Sequence, residues 1–212
     1  MGDLVQLAQE AAKPPVEKSK FRVFVFGPFL NPAETVAPPT IEPITPDAIV
    51  EHAKYLRFAT KKALEAEGFT VDYGETKEIY DAWVEKFSKG DLATFEQHHA
   101  RKHCGAVVIY PSSIGSICEF TLFASFDKIA KKTQAIVHKP YADHNSFFMR
   151  AVLEVFKQDN GTPEFIDYAN HEQCVEAARK YVIGKWHKML RDFDKHEDSV
   201  EWSKEYAEII RR

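Results

Sequence analysis

At 212 residues, 44% apolar and 28% charged, the chain has the make-up of one globular domain with extensions and can bury a single sizeable core. A net charge of −4 argues against a nucleic-acid backbone as the main partner, although nine histidines would add positive charge below about pH 6.5. Cys104, Cys118 and Cys174 are odd in number and lack CxxC spacing, so they read as reduced thiols, not as a disulfide framework or a zinc site.

Residues 3–12 carry a short amphipathic helix pattern ended by Pro14 and Pro15, and residues 1–20 read as an N-terminal helical extension. This segment has early acids and no continuous apolar core, so a secretory signal is not expected. No apolar run approaches the roughly 20 residues needed to cross a bilayer, and the expectation is a cytoplasmic protein without membrane contact.

Residues 21–26 are rich in β-branched and aromatic side chains and meet Gly27 and Pro28, which predicts a buried strand with a sharp exit. The stretch from Pro28 to Pro46 holds six prolines and reads as an ordered, non-repetitive loop, a natural place for a lid. Thr45, Pro46 and Asp47 open a helix as N-cap, N1 proline and first-turn acid, and Gly68 closes it. A short strand over 69–73 follows, then helical patterns over 77–87 and 91–103, and a strand over 106–110. A helix over about 116–130, a strand over 134–138, a helix over 145–158, a strand over 164–168 and a long helix over 170–191 complete the domain. The charged tail 192–212 keeps a helical stripe of Val200, Trp202, Tyr206, Ile209 and Ile210.

Strand–helix alternation predicts an α/β fold: a Rossmann-like parallel sheet over residues 21–191, helices on both faces, and a C-terminal helical extension. Ligands of such sheets sit at the carboxyl ends of the strands, so the loops 27–31, 72–75, 111–119 and 139–145 are the places to look.

The loop from Pro111 to Ser116 offers Ser112, Ser113, Gly115 and Ser116 at a helix N-terminus, where backbone N–H groups and hydroxyls suit a phosphate or ribose. Plain N-capping by Ser113 or Ser116 accounts for the same residues. Neither a Walker nor a dinucleotide fingerprint is present. Glu119 follows on a helix that is apolar nearly all round. A carboxylate there is paired or faces a ligand, and beside a bound sugar it can attack the anomeric carbon or stabilise an oxocarbenium-like centre. Gly27 admits close approach to the backbone and Phe29 offers a face to a planar base, or the triplet with Pro28 is a tight turn over the core. Asp72, Tyr73 and Glu75 lie at the next strand exit, within reach of ribose hydroxyls or proton transfer. His99 and His103 are spaced i, i+4, but no third ligand is nearby in sequence and residues 97–102 look like a solvated helix face. No metal and no cofactor are therefore expected.

The segments Phe24–Phe29 and Val108–Ala124 resemble the nucleoside 2-deoxyribosyltransferase-like superfamily, whose members join a G-P-F-like turn to an S-x-G-[ST]-x-x-E loop and helix. The similarity is closer to the N-glycosidase-type effectors of bacterial retron defence systems and covers residues 21–183 in element order. It implies cleavage or exchange of an N-glycosidic bond in a nucleoside or nucleotide. Glu119 would be the catalytic carboxylate, Ser113, Gly115 and Ser116 would contact the ribose or its 5′ substituent, and Gly27, Pro28 and Phe29 would line the base side. It also implies a homo-oligomer and a protein partner in a defence system. Phe120 and Thr121 depart from the small pair usual after the acid. A TIR-like NAD hydrolase and a non-catalytic nucleotide-sensing module are the competing readings.

Overall fold

The computed structural model describes residues 17–76, 80, 81, 84, 85, 92–142 and 151–196. The expected helices over 3–12 and 77–87, the first half of the helix over 145–158, and the tail helix lie wholly or largely outside these residues.

Five strands form one parallel sheet: β1 (Arg22–Phe26), β2 (Thr70–Asp72), β3 (Ala106–Ile109), β4 (Thr133–His138) and β5 (Thr162–Ile166), in the order β2-β1-β3-β4-β5. Helices α1 (Pro46–Ala66), α2 (Leu92–His103), α3 (Ile114–Ala124), α4 (Asp127–Ala130), α5 (Leu153–Gln158) and α6 (His171–His196) connect and cover it. Among the described residues, no helix is long and apolar enough to cross a membrane.

The α/β expectation is met, and the strand sequences show why. A strand covered on both faces needs apolar residues at successive positions. In β1, Val23 and Val25 point to the α1/α6 side, with Val108, Tyr110, Ile136 and Ile166. Phe24 and Phe26 point to the α2–α5 side, with Val107, Ile109, Ala135 and Val137. The start of α1 also follows its sequence: Thr45 Oγ1 accepts the Ala48 N–H at 3.3 Å, and Pro46 occupies the first turn.

The single helix expected over 116–130 is two helices. Ser125 Oγ donates to Leu122 O at 2.9 Å and takes the carbonyl that the Phe126 N–H would use. Phe126 turns to extended backbone (φ −117°, ψ 106°), and its own carbonyl accepts from Ile129 and Ala130 to start α4. Helix α3 is also less enclosed than its composition suggested, since Ile114, Cys118 and Leu122 are exposed along one stripe.

The proline-rich stretch between β1 and α1 is an ordered strap, as expected. Two buried histidines fasten it, His52 of α1 and His138 at the end of β4. His52 Nε2 lies 2.6 Å from Ile41 O, and His138 Nε2 donates to Pro43 O at 3.1 Å.

Candidate functional site

The strand order reverses between β1 and β3, so the crevice outside their carboxyl ends is where an open parallel sheet binds ligands. The Gly27–Leu30 turn leaves β1 there, the Pro111–Ser116 loop leaves β3, and Tyr73–Glu75 leaves the neighbouring β2.

Arg57 of α1 organises the floor of this crevice with a side chain only 1% exposed. Its Nε donates to Val25 O (3.1 Å) and its Nη1 to Pro28 O (2.8 Å). The same guanidinium grips Glu75 with two bonds, Nη1 to Oε1 at 2.6 Å and Nη2 to Oε2 at 2.5 Å. A Cβ at Gly27 would come within 3.2 Å of Arg57 Cδ, so glycine is what lets the helix approach the strand exit. Glu75 Oε1 also accepts the Leu30 N–H at 3.3 Å, which ties the β1 and β2 exits together.

Two further carboxyls face this pair. Glu119 is half-buried on the second turn of α3. Burial, with Glu75 adding to it and Arg57 opposing it, pushes its pKa up to about 7. Glu96 of α2 is 4% exposed. Burial, reinforced by Glu119 and Glu75 and opposed by Arg57 and His99, pushes its pKa up to about 8. Its Oε1 rests against Gly74, only 2.3 Å from where a Cβ there would lie.

The loop residues take two different roles. Ser113 Oγ accepts the Ser116 N–H at 3.2 Å, while Ser116 Oγ accepts the N–H groups of Ser112 (3.0 Å) and Ser113 (2.9 Å). This is a capping box, and Ser116 is buried within it. Ser113 and Ser116 thus spend their hydroxyls on the helix start. Ser112 differs: its Oγ is buried and makes no hydrogen bond. Buried hydroxyls are normally bonded, and among the described residues this one leaves its hydrogen-bonding capacity unused, as the Tyr181 hydroxyl does. Gly115 is exposed with open space around its Cα, and Phe29 stands 71% exposed beside the crevice.

Asp72 and Tyr73 do not reach the open side. Tyr73 is buried beneath the Arg57 guanidinium, 4.7 Å from its ring centroid. Asp72 is buried and binds Arg22 Nη1 at 2.8 Å and His99 Nε2 at 2.9 Å. Burial alone would raise the Asp72 pKa, but the His99 and Arg22 bonds outweigh it and lower it.

His99 corrects the solvated-face reading of residues 97–102, because it is 5% exposed and packs on Phe24. Donor atoms of Asp72, His99 and Cys104 lie within 4.8 Å of one another, close enough to hold a metal ion. Its other two members, Asp72 and Cys104, come from β2 and from the turn before β3, which sequence spacing along α2 could not show. Burial lowers the His99 pKa, but Cys104 and Asp72 outweigh it and lift it to about 10, so the ring carries its own positive charge. Arg22 also bonds to Asp72, so the Asp72 carboxylate is shared between a guanidinium and an imidazole.

Arg57 and Glu96 are the site residues that the sequence reading passed over. Both left the same signal, a charge within an apolar helical face: Ala53, Leu56, Thr60 and Leu64 flank Arg57, and Phe95, His99 and Ala100 flank Glu96.

No curated protein matches the chain. A profile of the STM3845 retron effector protein family matches residues 53–210, which include Arg57, Glu75, Glu96 and the whole Ser112–Glu119 segment but not the β1 exit. The chain belongs to that retron effector family.

Proposed function

We infer that this retron effector breaks or exchanges the N-glycosidic bond of a nucleoside, a nucleotide or a related molecule, with Glu119 as the carboxylate that engages the sugar carbon. The observation that carries this reading is the position of Glu119. It lies in the crevice at the switch point of a parallel sheet, half-buried, and no cation is bonded to it among the described residues. A carboxylate held there without a cationic partner costs free energy, and groups kept at such a cost concentrate at functional sites.

The crevice suits a sugar carrying a planar base. The exposed ring of Phe29 offers a stacking face on the β1 side. The open backbone at Gly115 offers polar contacts on the β3 side. In the first step, an oxygen of Glu119 bonds to C1′ or stabilises its developing positive charge as the base leaves. Water or a second base then takes the sugar. The family membership supports an effector role in a defence system with a protein partner. The exposed Ile114–Cys118–Leu122 stripe beside the crevice supports self-association.

The test is a chromatographic product assay over nucleosides, nucleotides and NAD, with Glu119→Gln alongside. Released base or nicotinamide that depends on Glu119 is expected. No release from any of them would overturn the reading in favour of a nucleotide-sensing module, and equal release by the variant would overturn the role given to Glu119.

A further inference from the structure

A glycosidic nitrogen leaves poorly as an anion, so cleavage of a neutral-base nucleoside needs a proton delivered as the bond breaks. Glu119 cannot supply it while serving as the ionised carboxylate. We propose that Glu96 is the acid that hands its proton to the departing base; this rests on the glycosidic reading of the crevice given above.

Charge counting supports the assignment. Three carboxyls, Glu75, Glu96 and Glu119, interact with one another around a single guanidinium, Arg57. Arg57 is committed to Glu75 through both of that residue's oxygens. The other positive group that acts on Glu96 among the described residues, His99, is bonded to Asp72. Glu96 and Glu119 are therefore two acids without a cation of their own among the described residues, and one of them keeps its proton at neutral pH. Burial decides which. Glu96 is 4% exposed and Glu119 is half-buried, so the charge resides on Glu119 and the proton on Glu96, in line with their values of about 7 and about 8.

Placement supports it as well. Glu96 comes from α2, yet its Oε1 is seated on the backbone of Gly74 at the carboxyl edge of the sheet. A side chain at position 74 would displace it. The groups facing Glu96 are Glu119 from α3, Glu75 from the β2 exit, Arg57 from α1, and His99 one turn along its own helix.

The step balances. The C1′–N bond breaks with its electron pair going to nitrogen, which takes the Glu96 proton, while a Glu119 oxygen bonds to C1′. Water then attacks C1′, giving its proton to the Glu96 carboxylate and releasing Glu119. The sum is glycoside plus water to free sugar plus the neutral free base, with both acids restored.

The test uses the full chain and two substrates with the same sugar: guanosine, whose base needs a proton to leave, and 7-methylguanosine, whose base already carries positive charge. Their 5′-phosphates serve if the product assay shows that preference. Glu96→Gln keeps the shape and neutrality of the protonated side chain and should fold. It is expected to lose about 100-fold or more on guanosine and at most a few-fold on 7-methylguanosine. Glu119→Gln should lose both. Equal losses by Glu96→Gln on the two substrates, or no loss on guanosine, would overturn the proposal. Activity of Glu119→Gln would instead overturn Glu119 as the carboxylate that engages the sugar, and no cleavage of either substrate or its 5′-phosphate by the wild type would overturn the glycosidic reading. Infrared difference spectra give an answer without turnover: a protonated-carboxyl band at neutral pH should vanish in Glu96→Gln, and an unchanged spectrum would overturn the assignment.

Discussion

Arg57 and Glu75 meet through two parallel hydrogen bonds at 2.6 and 2.5 Å, beneath the turn that ends the first strand. The same guanidinium holds the Val25 and Pro28 carbonyls, so the pair fixes the shape of the crevice as well as its charge. Arg57→Met should cost about 3 kcal/mol in chemical denaturation, the low end for a broken buried pair because Glu75 keeps some water contact. Glu75→Gln should have a different signature. Removing its charge withdraws one cause of the raised Glu119 pKa and frees Arg57 to lower it further. The acid limb of the activity profile should then move to lower pH, and an unmoved limb would separate Glu75 from Glu119.

Glu96 and Glu119 should also leave a mark on stability. Each holds its proton in the folded state above the ordinary value of 4.5, up to about 8 and about 7. The folded chain therefore binds more protons than the unfolded one in that window, and stability falls as pH rises through it. His99, raised from 6.5 to about 10, tilts the curve the same way over a higher range. Melting temperatures measured from pH 5 to 8 should decline for the wild type and decline less for Glu96→Gln. Parallel curves would show that Glu96 does not keep its proton.

The capping box makes a quantitative claim about Ser113. Ser113→Ala removes the acceptor for the Ser116 N–H and should cost about 1 kcal/mol in denaturant titration. Gly115, one turn position later, has nothing within 4 Å of an added Cβ. Gly115→Ala should therefore gain up to about 1 kcal/mol from helix propensity, while Gly115→Trp should keep the fold and block base release.

The strap is expected to loosen in acid. His138 accepts the Tyr168 N–H at Nδ1 (3.0 Å) and donates from Nε2 to Pro43, an arrangement that needs the neutral ring. Burial lowers its pKa; Asp167 and the Pro43 carbonyl oppose this, and His52 reinforces it. A lowered histidine contributes stability that is complete above about pH 6.5 and is lost as pH falls through the folded value. Amide exchange over residues 31–44, corrected for intrinsic rate, should quicken below that point. His138→Phe should quicken it at every pH and remove the dependence.

The sheet was legible in the sequence because a strand buried on both faces must be apolar throughout, as Val23–Phe26 and Ala106–Tyr110 are. The start of α1 was legible because Thr45, Pro46 and Asp47 encode it locally. The crevice was partly legible: Glu119 follows β3, and only the order of strands in space brings β3 beside β1. Ser113 and Ser116 show the opposite difficulty. The same hydroxyls suit a helix cap and a sugar, and only the hydrogen-bond partners decide. Asp72 sits at a strand exit as expected, but Arg22 and His99, from distant segments, draw it inward. Arg57 and Glu96 stood on helical faces whose meaning depended on what packs against them.

The carboxyl cluster is divided along the chain in a way that has a practical consequence. Arg57 and Glu75 precede residue 76, whereas Glu96 and Glu119 follow residue 92, and strand β1 must be hydrogen-bonded to both β2 and β3 before all four meet. Cutting the chain between those points would put the cation with one acid on the first piece and both proton-exchanging acids on the second. Neither piece alone could carry the proposed chemistry, and it would return only when the two halves rejoin edge to edge. The parallel sheet is in this sense a two-part lock, and a split version of the protein would report on whatever brings its halves together.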